Sequence, residues 1–130
     1  MTELVGIVLV SHSPELAAGL RSLLGQIGSA AVPVAVAGGT DDSRIGTSYA
    51  RIAAAVKDAD RGAGVLVLPD LGSSVLTARA VLEDHPREGV VIADAPFVEG
   101  AVAAAVTAAA GADLTAVLTA ATEARHVSKL

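Results

Sequence analysis

The stretch LVGIVLVSHSPELAAG, residues 4–19, decides the fold. Leu4 to Val10 is continuously apolar and rich in β-branched side chains. That pattern marks a strand buried on both faces, as in a parallel sheet. The run stops at Ser11-His12-Ser13. Pro14 then suits a first helical turn, where its missing N–H costs nothing, and Ser13 is the natural N-cap. Leu16, Leu20, Leu23 and Leu24 recur at helical spacing, and Gly25 or Gly28 ends the run. A buried strand feeding a helix is the opening unit of an α/β domain.

The same alternation continues outward. Val32 to Val36 predicts a second strand, closed by Gly38-Gly39. A loop follows, with Asp42 or Ser43 as candidate cap for a helix over 44–57 that turns Ile45, Ile52 and Val56 inward. GVLVL (64–68) predicts a third strand and 75–82 a third helix. GVVIA (89–93) predicts a fourth strand. An alanine-rich helix over 97–110 must lie flat on the sheet as core, and Asp113 caps a last helix from Leu114 to about Ala124. Strand–helix alternation with right-handed crossovers gives an α/β three-layer sandwich around a mainly parallel four-stranded sheet, order 2-1-3-4. The expectation is one domain over residues 1–130, with an ordered core of about 4–124.

Composition narrows the function. Hydrophobic residues make up 52% of the 130 and aromatics only 2%, so the core is Val, Leu, Ile and Ala in thin layers. There is no cysteine, which excludes disulfides, zinc–thiolate sites and iron–sulfur clusters and fits a cytoplasmic protein. The net charge is −5 and the basic residues are scattered, so neither a phosphate-tracking stripe nor an aromatic platform for nucleic acid exists. Met1-Thr2-Glu3 lacks a basic start, so no signal peptide is expected. The long uncharged run 22–40 is broken by Gly25, Gly28 and Pro33, so no membrane span is expected either. Ser128-Lys129-Leu130 reads as a polar tail rather than a peroxisomal address.

In open α/β sheets, ligands bind beyond the C-terminal strand ends, where the strand order reverses. For order 2-1-3-4 that edge collects His12 after strand 1, Gly39 and Thr40 after strand 2, and Asp70 with Gly72-Ser73-Ser74 after strand 3. A carboxylate that accepts from one imidazole N–H fixes the tautomer and leaves the other nitrogen as nucleophile. Helix starts with glycine nearby hold anions. The expected site therefore has His12 and Asp70 as catalytic pair, with the helix starts at Ser13 and at Gly72, Ser73 and Ser74 as phosphate cradle: a phosphoryl-transfer relay. No metal is expected, since nothing pairs with His12 at ligand spacing. A serine hydrolase lacks its G-x-S-x-G motif. A receiver-type site lacks clustered acids after strand 1. His85, before Pro86, and His126, near the C-terminus, read as solvated loop residues.

VSHS at the first strand exit, GGTDDSRIGTS (38–48) and DLGSS (70–74) together resemble the phosphotransferase subunits of phosphoenolpyruvate-dependent dihydroxyacetone kinases, members of the mannose-type EIIA family. The resemblance runs from about Leu4 to about Ala124. It implies an α/β homodimer in which His12 accepts a phosphoryl group on Nε2 from the carrier HPr, with Asp70 holding Nδ1 and with Gly39 and Thr40, at motif positions near the histidine, joining the phosphate cradle. The group then passes to ADP on the ADP-binding kinase subunit. It implies no resident cofactor: the intermediate is a covalent phosphohistidine, and ADP, ATP and magnesium belong to the partner. Some members continue into HPr-like and enzyme I-like domains, so a single-domain chain is expected to borrow HPr. Sugar-transporting relatives carry a tryptophan and an extra glycine in the turn after strand 3, and the shorter 70–74 turn favours the dihydroxyacetone branch. A mannose-family transporter domain and a regulatory module phosphorylated for signalling are the alternatives.

Overall fold

The computed structural model describes residues 3–28, 30–42 and 44–130; Met1, Thr2 and Ser43, invoked above, lie outside them. The elements run β1 (Gly6–Ser11), α1 (Pro14–Ile27), β2 (Val34–Gly38), α2 (Tyr49–Ala59), β3 (Val65–Pro69), α3 (Gly72–Asp84), β4 (Val90–Ile92), α4 (Phe97–Ala109) and α5 (Leu114–Glu123), with a short 3₁₀ turn at Ala124–His126. The strands form one parallel sheet in the expected order, β2-β1-β3-β4. Leu9 pairs with Val36 on one side and Leu68 on the other, which makes β1 and β3 the central strands.

Alternate residues of β1 feed two cores. Ile7 and Leu9 face α1, α4 and α5, packing on Leu20, Leu24, Ala101 and Ala121. Val8 and Val10 face α2 and α3, packing on Ile52, Val56, Ala78 and Val81. This is the three-layer arrangement. The small side chains Ala101, Ala104, Ala105 and Ala108 of α4 are buried and keep that helix close to the sheet. Across the other layer, Tyr49 Oη donates to Asp84 Oδ2 at 2.8 Å and its ring lies 6.1 Å from that of His85, which clasps the start of α2 to the end of α3. Among the described residues no helix is long and apolar enough to cross a membrane.

Two helices begin elsewhere than the sequence suggests. α2 starts at Tyr49, not Arg44, and its cap is Ser48, whose Oγ accepts from Arg51 N–H at 3.1 Å. Ile45 is 71% exposed, not core. Gly46, at φ +141°, breaks the apparent helical spacing of Ile45, Ile52 and Val56. α3 starts at Gly72, a turn before the expected Val75, and its N-cap Leu71 has no capping side chain. Helix cap searches look for a polar residue there, and none is present. His85 lies exposed just past α3 and closes that helix through its N–H on Val81 O.

Candidate functional site

The ends of β1 and β3 bring His12 against Asp70. Asp70 N–H donates to Val10 O at 2.9 Å, so the turn leaves β3 still tied to β1. Asp70 Oδ2 accepts from the His12 N–H and from Ser11 Oγ, both at 3.0 Å. Oδ1 accepts from Leu71 N–H at 2.7 Å and from Ser74 Oγ at 2.7 Å. It lies 2.9 Å from His12 Nδ1. Burial by itself raises the Asp70 pKa, but the hydrogen bonds from Ser74, from the His12 main chain, from the His12 ring and from Ser11 overcome it and hold the group at about 2. A carboxylate ionised at all ordinary pH only accepts, so Nδ1 carries the proton. The Nε2 lone pair of the neutral ring then faces outward and accepts from Ser73 Oγ. Asp70 is 8% exposed and the ring 20%, so the acid is sealed beneath a base that a partner can still reach.

α3 supplies both serines. Successive helical residues point about 100° apart, so Ser73 reaches Nε2 while Ser74, fully buried, reaches the carboxylate. The N–H groups of Gly72 and Ser73 have no acceptor among the described residues. They sit at the positive end of the helix beside Nε2, where an anion is favoured.

The other expected cradle residues are engaged differently. Ser13 caps α1: its Oγ accepts from Leu16 N–H at 3.2 Å, and its N–H donates to Ser11 Oγ. Gly39 N–H donates to Ser11 O and Thr40 N–H to Arg44 O. Thr40 Oγ1 donates to Asp42. These three residues therefore build the walls rather than offer free amides. Gly39, at φ +76°, also lies against Pro14, where a Cβ would come within 2.6 Å of the ring. The loop braces the histidine from behind, since Gly46 N–H donates to His12 O at 2.9 Å.

Two residues escape the sequence reading. Ser11, fully buried, relays between Ser13 N–H and Asp70. Arg51 clamps the loop through Gly38 O and Asp41 O, both at 3.0 Å. Ser11 sits next to His12 at a strand end, which is a signal; Arg51 looks like any polar-face helix residue, which is not.

A family model described as PTS system fructose IIA component, EIIA-man, matches residues 6–118. The chain belongs to the mannose-type EIIA family. Phosphoryl donor subunit DhaM of PEP-dependent dihydroxyacetone kinase 2 from Listeria innocua is 36% identical to this EIIA chain over 106 residues, 79% of it and 85% of the relative. The phosphotransferase subunit DhaM of the Lactococcus lactis PTS-dependent kinase is 35% identical, covering 86% and 89%. The Escherichia coli DhaM is 38% identical over 88% of this chain, which spans only 26% of that relative. A crystal structure of a protein of unknown function, EF1359, superposes with TM-score 0.84 at 32% identity, covering 92% of this chain and 94% of that one.

The Asp70 environment makes one outcome measurable. An unfolded aspartate titrates near about 3.9, so a folded value of about 2 means Asp70 adds stability above that range and loses it as pH falls from about 4 through about 2. The Asp70 carboxyl carbon resonance is expected to titrate near the lower value, and Ser11→Ala to move it upward by removing one donor. Titration at the ordinary aspartate pKa in the native chain would contradict the hydrogen-bond network.

Proposed function

We propose that this chain is the phosphoryl donor subunit of a phosphoenolpyruvate-dependent dihydroxyacetone kinase. On this reading His12 Nε2 takes a phosphoryl group from phospho-HPr and delivers it to ADP held on an ADP-binding partner subunit. The observation that carries it is the pinning of His12 Nδ1–H by an ionised Asp70, 2.9 Å away, with Nε2 at the open sheet edge. Kinship with proteins named as DhaM donor subunits supports the choice of acceptor.

The steps follow from the ring's electronic state. The Nε2 lone pair attacks phosphorus as the donor's P–N bond breaks. Ser73 Oγ–H turns from Nε2 to a phosphoryl oxygen, and the Gly72 and Ser73 amides hold the others. The Nδ1 proton stays in place, so the phosphorylated ring is formally cationic and Asp70 balances it. In the second step a terminal phosphate oxygen of ADP attacks phosphorus, the Nε2–P bond breaks and its electron pair returns to nitrogen. The same contacts serve both directions, as a reversible relay needs. The covalent intermediate calls for no resident cofactor. The chain acts through its EIIA domain, in the cytoplasm and as a homodimer.

Incubation with phosphoenolpyruvate, enzyme I and HPr tests this. Intact mass is expected to rise by one acid-labile phosphoryl group, which is then lost to the ADP-loaded partner. No gain with carriers competent on a control protein would end the proposal.

A further inference from the structure

The basic residues of this acidic chain are mostly occupied. Among the described residues Arg44, Arg87, Arg125 and Lys129 pair with carboxylates, and Arg51 and Arg61 bond main-chain carbonyls. Arg21, Lys57 and Arg79 have no partner among the described residues. Arg79 alone of these three lines the groove next to the phosphotransfer site. It follows Gly72 on α3 by about two turns, on the same face, and long helical side chains lean toward the N-terminus. With Asp70, Gly72, Val75 and Asp94 it lines a groove of about 420 Å³ between α3 and the ends of β3 and β4. The groove thus begins at the carboxylate that holds His12. Asp94, on the far wall, is neutralised by Arg125, 3.2 Å from its Oδ1. Asp70 is ionised too but lies beneath the imidazole it holds, so Arg79 is the groove's unpaired positive charge among the described residues.

A phosphoryl group passing between two imidazoles meets only the groups around Nε2. A nucleoside diphosphate brings a second phosphate that trails behind the attacking one. We infer that Arg79 is a specificity-determining residue for the acceptor, receiving that trailing phosphate in the groove while the partner keeps the nucleoside. This rests on the carrier role proposed above.

The two half-reactions separate the ideas. Transfer from phospho-HPr to the full chain, and from the purified phospho-chain to ADP on the acceptor subunit, are timed by quenched flow for wild type, Arg79→Gln and Lys57→Gln. Lys57→Gln removes the same charge from a surface away from the groove. Arg79→Gln is expected to take up phosphoryl at the wild-type rate. It should deliver it to ADP about tenfold more slowly, as loss of a charged contact implies. The gap should close at high salt, and Lys57→Gln should behave as wild type throughout. Normal delivery by Arg79→Gln, or equal slowing of both halves, overturns the assignment and leaves the carrier role standing. Failure of the wild type in the first half removes both.

Discussion

His12→Gln is expected to take up no phosphoryl group while remaining folded. The backbone of residue 12 keeps its own anchors, since its N–H donates to Asp70 Oδ2 and its C=O accepts from Gly46. Neither bond needs the imidazole. Glutamine retains a polar tip near Asp70 but has no nucleophilic nitrogen, because its amide lone pair is delocalised. The neighbouring Ser73 and Ser74 hydroxyls would give acid-stable esters, so acid lability separates them from a phosphoramidate. His85 stands at the far end of α3 and His126 in the terminal 3₁₀ turn. Intact mass after incubation with the donor system decides: an acid-labile gain in the variant would move the carrier to one of those histidines and dismantle the site described above.

Gly6→Ala is expected to be the most damaging small change in the fold. A Cβ there would stand 2.1 Å from Ala59 O and 2.9 Å from Ala59 C, both main-chain atoms at the end of α2. Gly6 pairs with Val65, and its N–H donates to Gly64 O, so the strand cannot retreat without breaking its ladder. The following Ile7 and Val8 are fully buried between the helical layers. Overpacking against backbone costs about 3 kcal/mol or more, a large share of the roughly 5–15 kcal/mol that holds a domain together. Denaturant unfolding reads this directly, and an unchanged midpoint would mean that α2 approaches β1 less closely than described.

The sheet was legible because its central strands are uninterrupted apolar runs, and the common strand order then put His12 beside Asp70. Few chemistry-bearing side chains occur in so apolar a chain, so those two stood out. The start of α2 was not legible: Ile45 shares helical spacing with Ile52 and Val56 yet faces solvent, because Gly46 turns the chain before Ser48 can cap. Nor could sequence divide the work of Ser73 and Ser74, which differ only by one helical step. Thr40 and Gly39 looked like ligands because they belong to a distinctive motif. Their amides instead hold the loop together, and the loop in turn holds the His12 carbonyl. The contribution of Arg51 depends on carbonyls that only the folded loop brings within its reach.

The clasp between α2 and α3 has a spectroscopic side. Tyr49 is the only tyrosine, and there is no tryptophan. Its hydrogen bond to Asp84 raises the phenol's pKa, with partial burial and the Asp84 charge acting in the same sense. Nearly all near-ultraviolet signal therefore comes from one ring, and that ring touches the end of α3 remote from His12. Two ties run from the site to that ring: α3 itself, and the segment from Gly46, whose N–H holds the His12 carbonyl, to the start of α2 at Tyr49. A change in tyrosine emission on phosphorylation would mean that one of them conveys the state of the histidine across the helical layer.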